Sequence, residues 1–156
     1  MEPTIRRARP EDAERLCEIQ VTSIRQLALS HYSADQLRPW WNGITPAGQS
    51  ASIEKNYVIV AEMENLVVGF GVLAVTKAEI GAVYVYPGHE GKGIGKTLLA
   101  ELIDEARRLK LTELSCHASL NAQGFYERAG LRVVSRFTHK FRSGGEIECV
   151  VMKIDL

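Results

Sequence analysis

Between residues 94 and 109 the apolar side chains Ile94, Leu98, Leu99, Leu102, Ile103, Ala106 and Leu109 recur at steps of three and four, with charges on the opposite face. That is the periodicity of an α-helix lying on a core. The chain before it has another rhythm. Residues 57–62, 66–76 and 79–86 are runs rich in β-branched and aromatic side chains, joined by Glu64-Asn65 and Lys77-Ala78, which predicts three strands in an antiparallel meander. Further upstream, residues 4–9 alternate like an edge strand, and Pro10-Glu11-Asp12 supplies a proline and two acids where a helix begins. Apolar or small residues at 13, 16, 17, 24 and 27 give that helix one buried face, ending near Ser30. Ser33-Ala34-Asp35-Gln36 reads as a cap followed by a second helix reaching Trp40-Trp41, and residues 46–52 as a polar loop or a further turn of helix.

Downstream of the long helix, residues 111–118 predict a strand and 121–129 a short helix stopped by Gly130. Residues 132–141 and 146–154 then form a terminal hairpin around Ser143-Gly144-Gly145. The order is strand, helices, three strands, helix, strand, helix, two strands. It predicts the α+β class: a three-layer αβα arrangement whose mixed, mostly antiparallel sheet is covered by helices on both faces.

Bulk properties narrow the partners. A chain of 156 residues suits a single domain over 1–156 with a core of its own. With 19 basic and 19 acidic residues, it has no net field to recruit nucleic acid or an anionic membrane. Cys17, Cys116 and Cys149 stand far apart, as expected of reduced thiols in a cytoplasm, where each serves as a small buried hydrophobe. No apolar run approaches the roughly 18 residues that cross a bilayer, and Met1-Glu2-Pro3-Thr4 does not start a signal peptide. A soluble, cytoplasmic protein is the expectation.

The chemistry concentrates after the third strand of the meander. From Val83 the sequence runs Tyr84-Val85-Tyr86-Pro87-Gly88-His89-Glu90-Gly91-Lys92-Gly93-Ile94-Gly95-Lys96-Thr97, a strand breaking at a proline into a glycine-rich turn that opens a helix. Gly91, Gly93 and Gly95 remove side chains that would keep an anion from backbone N–H groups, and the helix dipole adds about half a positive charge there. A pyrophosphate is the ligand this wiring suits. The dinucleotide fingerprint and the P-loop both fit less well, the latter because Glu90 stands where its first glycine belongs.

This segment resembles the acyl-CoA-binding motif of the GNAT acetyltransferase superfamily, (Gln/Arg)xxGx(Gly/Ala) after a strand ending Val-x-Pro. It falls here on Glu90-Gly91-Lys92-Gly93-Ile94-Gly95, with a glutamate in place of the usual Gln or Arg. A phosphate contact from that side chain is lost or made repulsive, so backbone donors of residues 91–96, with Lys92 or Lys96 as point charges, would carry the anion. A second motif follows. Ser119-Leu120-Asn121-Ala122-Gln123-Gly124-Phe125-Tyr126-Glu127-Arg128-Ala129-Gly130-Leu131 resembles the family's SxxAxxFYExxGF, departing only at Leu131.

The resemblance implies a GNAT fold with a β-splay over essentially the whole chain, in which the strand of Val83, Tyr84 and Val85 diverges from that at 112–118. Backbone groups of Val83 and Val85 would then hold pantetheine as an extra half-strand and polarise the thioester carbonyl. It assigns protonation of the leaving thiolate to Tyr126, since a phenol (pKa about 10) lies near a thiol (about 8.5). Asn121 either touches the CoA arm or caps the helix at 121–129. His117 is a candidate general base, directly or through water, or else a strand histidine that packs; Glu79 and His89 are the fallback candidates. The segment from His31 to Trp41 resembles a subgroup with a Tyr-Ser-x-x-Gln-xxx-Trp helix. Within it Tyr32, Trp40 and Trp41 are candidate acceptor-binding residues, one tryptophan serving as core and the other as a wall.

As a whole the resemblance implies an N-acetyltransferase with acetyl-CoA as acyl donor and no metal. It transfers directly to a primary amine of a small molecule or peptide, because no Cys-His pairing is legible for an acyl-enzyme. A non-catalytic CoA-binding module and a protein N-terminal acetyltransferase are the alternatives. A homodimer through the last strands is ordinary for the family, and the acceptor is not legible.

Overall fold

The computed structural model describes every residue except Met1, Ala28, Leu29, His31 and Ser143, so the expected helix end near Ser30, the His31 start of the acceptor segment and the first residue of the last turn fall partly outside the described residues. Seven strands form one sheet: β1 (Thr4–Arg7), β2 (Tyr57–Met63), β3 (Leu66–Ala74), β4 (Glu79–Val85), β5 (Glu113–Ser119), β6 (Arg132–Lys140) and β7 (Glu146–Asp155). Their spatial order is β1-β2-β3-β4-β5-β7-β6, so β7 inserts between β5 and its hairpin partner. All neighbours are antiparallel except β4 and β5. Among the described residues five α-helices accompany the sheet: α1 (Ala13–Leu27), α2 (Ala34–Asn42), α3 (Pro46–Lys55), α4 (Ile94–Arg108) and α5 (Gln123–Arg128). The αβα reading holds.

Each face of the sheet carries its own core. On one face α4 buries Leu98, Leu99, Leu102, Ile103 and Ala106 against Ile59, Ala61, Leu73, Ile80 and Leu114. Gly69 and Gly71 on β3 let that helix approach: a Cβ on Gly71 would stand 3.0 Å from Leu102 Cδ1, and one on Gly69 3.2 Å from Leu98 Cδ1. On the other face α1 sets Leu16 and Ile19 on Val58, Val60, Phe70 and Val72. The start of α1 is pinned by Asp12, which accepts from the Arg9 N–H at 2.7 Å and from the Arg6 guanidinium at 2.9 and 3.0 Å. Arg6 also pairs with Glu62 of β2.

Three expected elements differ. Residues 46–52 belong to a full helix that runs to Lys55, its N-cap Thr45 accepting from Gly48 N–H. The run at 66–76 stops at Ala74, where a 3-10 turn, Val75–Lys77, leads into β4. The short helix begins at Gln123 because Leu120–Ala122 forms a 3-10 turn ahead of it.

One irregularity positions the site. Val72 pairs with Ala82 but Leu73 pairs with Ile80, so Gly81 is an extra residue in β4. Such a bulge bends its strand. The parallel pairing of β4 with β5 is confined to Glu79↔Ser115 and Ile80↔Cys116, and beyond the bulge the two strands part.

Candidate active site

The gap between β4 and β5 is a cleft of about 240 Å³, lined among others by Ser23, Trp40, Val83, Tyr84, Val85, His117, Asn121 and Tyr126. Strand geometry decides which backbone groups face it. Tyr86 N–H donates to the Val68 carbonyl at 2.8 Å, and antiparallel alternation then turns residues 82, 84 and 86 toward β3 and residues 83 and 85 away from it. Val83 and Val85 therefore present their N–H and C=O groups to the gap. One is engaged: Ser23 Oγ on α1 donates to the Val85 carbonyl at 2.9 Å.

At the end of β4 the chain turns through Gly88 (φ 99°), Gly91 (φ 79°) and Gly93 (φ 79°), left-handed conformations that favour glycine. Gly93 is the N-cap of α4 and no side chain caps that helix, so the first-turn N–H groups are left for an external acceptor. Gly95 has a packing role beside the one expected of it. A Cβ there would stand 3.2 Å from Phe125 Cε1 and 3.6 Å from Val85 Cγ2, so this glycine also lets α4 meet Phe125. Glu90 turns out to be a loop ligand itself, its carboxylate accepting from Gly88 N–H at 2.7 Å. Lys92 Nζ lies 3.5 Å from His89 Nδ1, and Lys96 is exposed on the first turn of α4. Lys96, Arg107 and Arg128, with Asp104 paired to Arg107 at 3.6 Å, line a groove of about 730 Å³ between α4 and α5.

Tyr126 is 6% exposed. Its ring meets Phe125 edge-on at 5.1 Å between centroids, and its hydroxyl makes no hydrogen bond among the described residues. Burial drives its phenol well above the ordinary tyrosine value, with Cys116 and Tyr84 adding to the shift. The group stays protonated, and it is a weaker acid than the sequence expectation supposed. His117 is exposed on β5, tilted against Phe137 at 4.9 Å between centroids, and it reaches the same cleft. Asn121 sits in the 3-10 turn, where its Oδ1 accepts from Ser119 Oγ at 2.8 Å. It does not cap the following helix, whose N-cap is Ala122.

The acceptor candidates separate. Trp40 lines the cleft, while Trp41 packs outside it with Arg25 over its ring at 5.2 Å. Both tryptophans are half-buried rather than one being core. Tyr32 is not among the lining residues; its hydroxyl donates to the Glu148 carbonyl and accepts from Leu120 N–H, each at 2.8 Å. Of the fallback bases, Glu79 lines a neighbouring cavity and His89 lies in the glycine loop. Sequence reading missed Ser23, whose only signal was a hydroxyl beside the apolar stripe of α1, and the bulge at Gly81, which had none.

The thiols do not compete as nucleophiles. Burial pushes Cys116 up to about 12, with the Glu79 charge adding, and Cys149 up to about 11.

Comparison with known proteins agrees with this geometry. Residues 28–156 match the acetyltransferase (GNAT) domain family. The uncharacterized N-acetyltransferase YafP of Escherichia coli is 30% identical over 132 residues, 85% of this chain and 83% of its own. The L-amino acid N-acyltransferase MnaT of Escherichia coli is 32% identical over 115 residues, 67% of this chain and 63% of its own. A GCN5-related N-acetyltransferase of Rhodopseudomonas palustris superposes with a TM-score of 0.94 at 29% identity, covering 100% of this chain and 97% of that one. Other solved structures of this fold hold coenzyme A or acetyl-CoA. A splayed sheet, a left-handed glycine loop at an uncapped helix and these matches together show that the chain belongs to the GNAT acetyltransferase family and is an acetyl-CoA-dependent acyltransferase.

Proposed function

We propose that this protein moves the acetyl group of acetyl-CoA directly onto a primary amine of a small molecule or peptide. The observation that carries the reading is the departure of β4 from β5 after Ile80, which turns the backbone of Val83 and Val85 into a gap that also holds Tyr126. Val83 and Val85 bind the pantetheine amides as a missing strand would. The loop amides at Gly91 to Lys96 take the diphosphate, and the groove of Lys96, Arg107 and Arg128 suits the remaining phosphate of the nucleotide end.

In this reading Tyr126 donates a hydrogen bond to the leaving sulfur. A phenol that burial keeps protonated is always loaded for that task, and a sulfur in the same desolvated gap is also made more basic, which narrows the mismatch between the two. His117, which lines the same gap, accepts the proton released by the amine, directly or through water. The thiols held at high pKa support direct transfer over an acyl-enzyme. An amine-bearing acceptor also accords with the L-amino acid substrate in the name of MnaT.

Two measurements test the reading: calorimetric titration with acetyl-CoA, and release of free CoA thiol across an amine panel. Saturable binding with amine-dependent thiol release is expected. Absence of binding at millimolar acetyl-CoA overturns it.

A further inference from the structure

The pairing of β5 with β7 runs from Glu113↔Asp155 to Ser119↔Cys149, and the next partners in that register are Leu120 and Glu148. Antiparallel strands exchange N–H···O=C bonds at every second pair. Just outside the other end of the ladder Leu156 N–H donates to the Thr112 carbonyl at 2.9 Å, while Ser115 N–H turns the opposite way, to the Ala78 carbonyl before β4, at 3.0 Å. Even-numbered residues of β5 therefore turn their backbone groups to β7, and Leu120 stands where a further rung to Glu148 is due.

That rung is not closed directly. The Tyr32 hydroxyl accepts from Leu120 N–H and donates to the Glu148 carbonyl, each at 2.8 Å, so one phenol oxygen is inserted into it. A direct bond holds nitrogen and oxygen about 2.9 Å apart, and two bonds in series span more than one. β5 is thereby prised from β7 after Ser119, and the chain leaves the sheet through the 3-10 turn Leu120–Ala122 into α5. The inserted oxygen is itself held in place, because the Tyr32 ring is buried with Ile24, Leu37, Ile147 and Cys149. No side chain caps the 3-10 turn, and the contact of Ser119 Oγ with Asn121 Oδ1 is local to it.

Resting on the transferase reading above for the role of Tyr126, we propose that Tyr32 is a positioning residue of the reaction. By keeping the last rung open it sets where the turn departs from the sheet, and with it the start of α5 and the place of the Tyr126 hydroxyl beside the leaving sulfur. Tyr126 follows Leu120 by six residues and lines the cleft together with Asn121 of the turn. A misplacement of about 1 Å in a reacting group can cost on the order of 100-fold in rate, so a single oxygen at this point bears on turnover.

Tyr32→Phe keeps the ring and removes the oxygen. Its kcat, read from CoA thiol release, should fall roughly 10- to 100-fold, while acetyl-CoA affinity by calorimetry changes less than about threefold. In a Tyr126→Phe background the same substitution should change kcat less than about twofold, because the group it positions is already gone. Undiminished kcat in Tyr32→Phe, or an equal loss in both backgrounds, overturns the proposal while the transferase reading stands. Amide hydrogen exchange on the native chain needs no variant to fold: the Leu120 amide should be protected at least about 100-fold, and exchange at the rate of an open chain overturns the proposal. A native chain that neither binds acetyl-CoA nor releases thiol overturns both.

Discussion

The hydroxyl of Ser23 donates to the carbonyl of Val85 across 2.9 Å, joining α1 to the strand edge that faces the cleft. Ser23 is 3% exposed, so removing its hydroxyl leaves a shielded carbonyl without that partner. Ser23→Ala should lower stability by about 0.5–1.5 kcal/mol in denaturant melts. A carbonyl has two lone pairs, so acetyl-CoA affinity measured by calorimetry should stay within about threefold.

Tyr126→Phe separates binding from chemistry. The ring and its edge contact with Phe125 survive, and only the hydroxyl is lost. Turnover should fall roughly 10- to 1,000-fold while acetyl-CoA binding is retained. Undiminished turnover in a steady-state assay removes Tyr126 from the mechanism.

Glu90 sets a charge inside the loop proposed above to receive the diphosphate, and its carboxylate occupies the Gly88 amide. Glu90→Gln relieves that repulsion. Acetyl-CoA should bind roughly 3- to 10-fold more tightly at low ionic strength, with the gain shrinking as salt is raised. Calorimetry at two salt concentrations reads both effects.

Asp12 makes stability pH-dependent in a defined direction. Its carboxyl is held below the ordinary aspartate value chiefly by the Arg6 hydrogen bond, with burial opposing. A depressed folded pKa contributes stability that is complete above the unfolded value of about 3.9 and is lost as pH falls through the lower folded value. Asp12→Asn should cost about 1–3 kcal/mol at neutral pH and flatten the acid limb of the unfolding curve, as thermal melts from pH 7 to 2 would show.

The parts of this molecule that repeat a periodic signal were legible in the sequence, and those set by tertiary fit were not. The stripe from Ile94 to Ala106 names the face of α4 that is buried, and the runs around Val58, Phe70 and Ile80 name three adjacent strands. Gly95 carries the same symbol as Gly91 and Gly93, yet its need is a ring on α5, a neighbour that spacing does not announce. Asn121 could be read as a cap as readily as a CoA contact because the 3-10 turn ahead of α5 has no signature distinct from a first helical turn. Gly81 reads as an ordinary strand glycine until its partners on β3 are known. Tyr32 and Trp40 sit in one motif but do different work, because Tyr32 precedes α2 and reaches across to β7 and the 3-10 turn while Trp40 on α2 lines the cleft.

The Tyr32 phenol bridges the 3-10 turn at Leu120 and the β7 carbonyl of Glu148. Trp40 on α2 and Asn121 beside Leu120 belong to opposite banks of the cleft, and that bridge ties the banks into a common frame. Widening the crevice by lifting the start of α2 would break two buried bonds at once, so the strap from Tyr32 holds the spacing of the crevice fixed.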